Sequence, residues 1–259
     1  MARPIWTVLA LCLAPALGAQ GTGTRPPIAD NSFLMEEAYN QERGVVQHIS
    51  VFQKLTDASV WSYAFTQEWP VFGQRNQFSY SIPFLGNDPH SGIGDMMLNW
   101  RYQLIGRDNE ATWISPRASV IIPTGDDGKG LGSGSTGFDV AIPISHRWGP
   151  HLVSHTNVGF TTIPDIEATT VSLGQSVIWQ PRARTNFMLE GVWRQRSVDA
   201  GTGSTVTSTE AYISPGIRWA YDRPSGLQVV PGVAFPIGIG HNHDTQVLLY
   251  LSLEHPFRR

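Results

Sequence analysis

The chain has 259 residues, a formal net charge of -3 and only 15% charged side chains, against roughly 25% in soluble domains. It carries no basic stripe of the kind a nucleic-acid partner requires. Its one cysteine, Cys12, falls in a segment expected to be removed, which leaves no disulfide and no thiol chemistry in the mature chain.

Residues Met1–Ala19 read as a secretory signal peptide. Arg3 supplies the positive start, Ile5 to Leu13 is an apolar core too short to cross a bilayer, and Leu17-Gly18-Ala19 offers small residues for cleavage before Gln20. Leu11, in front of Cys12, is too large for a lipoprotein signal. Nowhere later do about eighteen or more apolar residues run together, so no transmembrane helix is predicted. Gln20 to Pro27 is a polar tail. Asn31–Gln41 is expected to form a short helix, with Asn31 or Ser32 as cap, Glu36 and Glu37 near its positive end, and Gly44 as stop. Residues 20–44 therefore read as an N-terminal tail with a plug helix, one that fills a lumen through Phe33, Leu34, Glu36, Glu37 and Tyr39. The simpler alternatives are a periplasmic helix and an ordered lead into the first strand.

From Val45 to Phe257 the chain repeats a stretch of alternating apolar and polar residues followed by a turn. Twelve strands are predicted, over 45–55, 59–70, 76–85, 94–105, 111–123, 136–147, 151–162, 169–180, 185–198, 208–221, 226–238 and 245–257. Successive side chains point to opposite faces of a strand. In the fourth, Met96, Leu98, Trp100, Tyr102 and Leu104 oppose Met97, Asn99, Arg101 and Gln103. In the last, Val247, Leu249, Leu251 and Leu253 oppose Leu248, Tyr250, Ser252 and Glu254. The first and seventh strands alternate poorly.

A soluble sandwich also alternates. Two further patterns favour a membrane barrel. The connections alternate short (72–75, 106–110, 148–150, 181–184, 222–225) and longer (86–93, 125–135, 163–168, 199–207), although 56–58 is short and breaks the rhythm. Trp69, Trp113, Trp148, Trp179, Trp219 and Tyr221 gather at the short-turn rim, where amphipathic aromatics favour the headgroup level. The fold class predicted is all-β: one transmembrane antiparallel β-barrel of about 12 strands over 45–257, behind a short N-terminal segment, in a bacterial outer membrane.

Four runs carry a family resemblance: NSFLMEEAYNQERGVVQHI (Asn31–Ile49), GIGDMMLNWRYQL (Gly92–Leu104), PRASVIIPTGDDGKGLGSGSTGFDVAIPIS (Pro116–Ser145) and EHPF (Glu254–Phe257). They resemble an outer-membrane "transporter" family labelled for phenol degradation by the meta pathway (MetA). The resemblance implies an outer-membrane barrel for uptake of small aromatic or hydrophobic compounds. Such barrels often end on an aromatic residue read by the assembly machinery; here Arg258 and Arg259 follow Phe257.

On the faces expected to line the lumen stand Glu68, Arg101, Arg117, Glu190, Arg194, Glu210, Arg218 and Glu254. They form either a charged filter for solutes or a paired network that keeps a wet interior satisfied. Glu190 and Arg194 lie four apart on one face, so each is expected to pair across strands.

Gly125–Gly137 is glycine-rich but lacks P-loop spacing, so it reads as a mobile outer loop. His241-Asn242-His243-Asp244 holds too few fixed ligands for a metal site. His155 and Asn157 suggest the side chains of an outer-membrane lipid hydrolase, but Ser154 points to the opposite face. No catalytic residue, metal or cofactor is predicted. The function expected is passage of small molecules. A lipid hydrolase, or a sealed barrel whose loops bind a surface partner, are the alternatives. The partners expected are outer-membrane lipids, the barrel-assembly machinery at the last strand, and a small-molecule solute.

Overall fold

The computed structural model describes residues 28–107, 110–201, 204–240 and 243–257. The expected leader Met1–Ala19, the tail to Pro27, His241, Asn242, Arg258 and Arg259 lie outside the described residues. The strands are β1 (Val45–Leu55), β2 (Val60–Pro70), β3 (Asn76–Asn87), β4 (Ser91–Ile93 and Met96–Tyr102) and β5 (Thr112–Ile114 and Arg117–Ile122). There follow β6 (Gly137–Arg147), β7 (Leu152–Ile163), β8 (Ala168–Arg182), β9 (Thr185–Asp199), β10 (Thr205–Trp219 with Tyr221–Asp222), β11 (Gln228–Ala234 and Ile237–Gly238) and β12 (Gln246–Pro256).

Consecutive strands pair antiparallel all the way round. β12 then pairs with β1, from Val45 opposite Pro256 to Leu55 opposite Gln246, which closes a twelve-stranded barrel. Closure leaves no free edge, the one way a sheet can satisfy its backbone groups in lipid. Two of the four interrupted strands break at a proline. β5 is interrupted at Pro116 and β11 at Pro236, and proline has no N–H to donate.

The two faces separate as the alternation predicts. Leu98, Trp100, Val120, Val140, Ile142, Leu173, Leu189, Leu249 and Leu251 are exposed on the outside. Gln77, Asn99, Arg101, Ser119, His155, Ser176, Glu190, Ser214, Arg218 and Ser252 are buried inside. An apolar surface of that extent on a monomer marks a face that water does not wet. Leu98 and Leu251 are 37% and 40% exposed within the belt. Changing either to arginine is expected to cost about 2–4 kcal/mol at mid-membrane. The expected result is a lower yield of folded barrel in membranes, measured against the normal insertion of Ser252→Ala on the opposite face.

Three sequence expectations are corrected. Trp113 does not join the rim belt: it is 1% exposed and packs inward on Tyr39, ring centroids 4.9 Å apart. It shares strand parity with the buried Ser115, so it faces in, whatever its height on the barrel. The short-long rhythm of connections is weak, because β8, β9 and β10 are longer than predicted and reduce their loops to 164–167 and 200–204, while the connection 103–111 is long.

The Gly125–Gly137 loop is tethered rather than free. Asp95 accepts hydrogen bonds from Gly125 N (3.0 Å), Ser133 N (2.7 Å) and Ser133 Oγ (2.7 Å). Asn87 donates to the carbonyls of Lys129 and Gly130, and Leu131 is buried.

Candidate functional site

Residues 28–41 lie inside the barrel. Their contacts run round the whole wall, from Gln47 on β1 through Arg101, Ser145, Asn157, Ser176 and Glu190 to Arg218 and Tyr250, which only an enclosed segment can make. The expected helix Asn31–Gln41 is absent: the segment is irregular. The reason is visible in its amides. Leu34 N donates to Glu190 Oε1 (3.0 Å), Glu36 N to Asn157 Oδ1 (2.8 Å) and Ala38 N to Ser145 Oγ (2.7 Å). Asn40 N donates to Gln103 Oε1 (3.1 Å) and Gln41 N to Gln77 Oε1 (2.8 Å). Wall side chains supply the acceptors that a helix would have supplied from within, so the buried amides are satisfied without helical winding.

Arg101 is the main anchor. Its Nε donates to Asn40 Oδ1 (3.0 Å), Nη1 to Glu37 O (3.0 Å) and Nη2 to Tyr39 O (2.8 Å). The same guanidinium lies 3.5 Å from Glu37, 3.7 Å from Glu68 and 3.9 Å from Glu36. Arg218 donates to the carbonyls of Asp30 and Asn31. Asp30 also accepts from Gln47 (2.5 Å) and Tyr250 (2.5 Å). Ser115 Oγ donates to Ala38 O (2.6 Å).

Two apolar side chains use gaps left by glycines. A Cβ at Gly174 would overlap Met35 Sδ, and one at Gly216 or Gly232 would overlap the Phe33 ring. Phe33 meets Tyr250 edge-on, centroids 5.5 Å apart, within a buried apolar cluster that includes Ile28, Ile178 and Leu248.

All eight predicted lumen charges lie on inward strand positions, but they separate by role. Glu68, Arg101, Arg117, Glu190 and Arg218 meet the segment or its partners. Arg194 and Glu210 sit opposite each other in register, are exposed to the open part of the lumen and form no ion pair with each other. Glu254 lies near the rim where β1 begins and β12 ends, opposite Gln47 and Gln228. Of the named segment residues, Phe33, Glu37 and Tyr39 are buried and Leu34 and Glu36 half-buried.

The alternation also held charges that went unread. Asp139 shares a face with the inward Gly137 and Ala141, and it takes Arg117 at 2.7 Å and Thr161 at 2.7 Å. Asp30 had no strand pattern to reveal it.

Around the segment, carboxylates outnumber guanidiniums: Asp30, Glu36, Glu37, Glu68, Asp139 and Glu190 face Arg101, Arg117 and Arg218. On the segment itself, burial pushes the Glu37 carboxyl well above the usual carboxylate range. Arg101 pulls it back, while Glu68 and Asp30 add to the rise. Burial likewise raises Asp30, against Arg218, Tyr250, Ser252 and Gln47. Both acids keep a proton to higher pH than in water, which offsets part of the excess negative charge.

The residues considered for lipid hydrolysis are engaged in holding the segment. His155 Nδ1 pairs with Ser145 Oγ at 2.7 Å from the neighbouring strand, and that hydroxyl accepts Ala38 N. Asn157 both donates to and accepts from the Glu36 backbone. Ser154 faces outward and accepts from Trp148 Nε1 at 2.8 Å.

Above the segment, toward the rim opposite the start of β1 and the end of β12, two cavities of about 190 and 220 Å³ are divided where Glu36 meets Arg117 at 3.2 Å. A larger recess of about 960 Å³ lies away from the segment, between the 71–73 turn and Phe257.

The closed barrel, the apolar outer belt and the polar interior define a transmembrane β-barrel. The chain belongs to the family described as "Putative MetA-pathway of phenol degradation", which matches residues 25–247. Among solved structures, it is similar to an outer membrane channel from Pseudomonas putida F1, with 14% identity over 84% of this chain and 97% of that one and a TM-score of 0.60. It is also similar to the NanC porin, with 6% identity over 83% and 100% and a TM-score of 0.52. These likenesses show the fold. Comparison with curated proteins gives no match.

Proposed function

We propose that the protein is an outer-membrane channel for small molecules, aromatic or hydrophobic compounds among them, and that passage requires residues 28–41 to leave the lumen. The carrying observation is the polar grip on that segment: wall side chains bond its amides and carbonyls one by one. Polar contacts of this kind can be exchanged for water when the segment withdraws, and the apolar contacts that water cannot replace come from a few side chains, Ile28, Phe33, Met35 and Tyr39. The family membership supports the choice of aromatic and hydrophobic solutes.

The test uses the full chain in proteoliposomes and a membrane-impermeant aromatic solute such as benzenesulfonate. Wild-type protein is expected to admit it slowly. Gly174→Leu puts a side chain where Met35 lies, so it is expected to displace the segment and raise the rate several-fold. Influx no faster than in empty vesicles, for both proteins, would leave the sealed barrel as the better reading.

A further inference from the structure

The geometry points to a site for small organic acids in the 220 Å³ cavity, one that receives the carboxylate at Arg194. It rests on the channel reading and adds the substrate class. The floor is the apolar pair Leu34 and Met35 of the segment, and the wall carries Ser172, Thr170 and Arg194.

Ser172 and Arg194 are register partners on β8 and β9, so a hydroxyl and a guanidinium stand side by side. Among the described residues, Arg194 makes no ion pair and no hydrogen bond. Glu210 stands opposite it on the other side but does not line the cavity. The second cation of the cavity, Arg117, is committed to the wall and the segment, through Nη2 to Asp139 (2.7 Å) and Glu36 (3.2 Å) and through Nη1 to Asn99 (2.9 Å) and Ser119 (3.0 Å), which leaves Arg194 as the free cation among the described residues of the lining.

One guanidinium with donors to spare, beside the Ser172 hydroxyl and above an apolar floor, matches a molecule with an acceptor-rich anionic head and a short apolar body; the two carboxylates of the lining, Glu36 and Asp139, are both held by Arg117. A carboxylate suits the planar fork of arginine and can accept two parallel bonds from it. The volume lies below the roughly 300–1,000 Å³ of drug-sized pockets, which limits the body to one ring or a short chain. A cationic ligand would meet an unpaired guanidinium, and a neutral one would leave Arg194 as it is. The site is the last polar station above Leu34 and Met35, where a bound acid would wait until the segment moves.

The test is equilibrium binding to the purified full chain in detergent, read by saturation-transfer NMR with benzoate, benzyl alcohol and benzylamine as matched probes. Benzoate is expected to bind best. Arg194→Gln is expected to weaken benzoate about tenfold, the loss of one charge-assisted contact, and to leave benzyl alcohol unchanged. Arg196→Gln, two residues further along the same face, is expected to leave benzoate binding within about twofold. Ser172→Ala, expected to weaken benzoate about threefold, gives a second route should Arg194→Gln fail to fold.

Equal binding of benzoate and benzyl alcohol to the wild type, or benzoate binding untouched by both variants, would overturn the site. Because binding is measured without transport, the two readings fail separately. Binding intact with no solute influx overturns only the channel, and influx without carboxylate binding overturns only the site.

Discussion

Arg101→Ala is expected to release residues 28–41 from the lumen while the barrel stays folded. The arginine donates to Asn40, Glu37 and Tyr39 and lies 3.5 Å from the Glu37 and 3.7 Å from the Glu68 carboxyl. Removing one partner from a buried ion pair costs about 3–5 kcal/mol, because the remaining charges stay buried and unpaired. That cost falls on the docked segment. The ladders from β4 to β3 and β5 run through backbone atoms, with Gln77 and Arg117 opposite Arg101, and alanine preserves them.

A loss of that size moves the docked-to-released ratio by about two to four decades. Two measurements check it. Chymotrypsin is expected to cut after Phe33 or Tyr39 in the variant and to spare both bonds in the wild type, where these side chains are buried. Single-channel conductance in planar bilayers is expected to rise several-fold. A variant with wild-type protease resistance and conductance would mean that Arg101 is a structural brace of the wall and no anchor.

The alternation of side chains was sufficient to read the wall. It places Met96, Leu98 and Trp100 outside and Asn99 and Arg101 inside, and the structure agrees, because a closed sheet with lipid on one face and polar groups on the other must obey the pleat. Alternation gives the face of a residue and not its neighbours. Trp113 shows the difference: its place near a strand end suggested the rim, whereas its parity with Ser115 sends it inward onto Tyr39.

Register decides partners, and the chain outside the strands decides them further. Glu190 was expected to pair across strands, yet its carboxylate accepts Leu34 N. Arg194 faces Glu210 in register without pairing. The segment itself was legible as an element able to fill the lumen but not in its conformation. Asn31 followed by acidic residues is a sound capping pattern, but Asn31 Oδ1 accepts Glu37 N at 3.1 Å across a bend, and the remaining amides find acceptors far away in sequence. No local signal encodes partners that only the closed barrel brings into reach.

The channel reading depends on movement of the segment, and one pair of residues allows that movement to be switched. Ser32 Oγ and Ser176 Oγ lie 2.9 Å apart, one on the segment and one on β8, close enough for cysteines at both positions to join with little backbone shift. The only native cysteine is Cys12, within the expected leader, so a Ser32→Cys, Ser176→Cys protein has no competing thiol once the leader is removed. The bond would tether the segment covalently to the wall near its N-terminal end. Benzenesulfonate influx into proteoliposomes, measured before and after reduction on the same preparation, tests the account most directly. The account predicts influx at the level of empty vesicles when the pair is oxidised and recovery to the wild-type rate on reduction; equal influx in both states would contradict it.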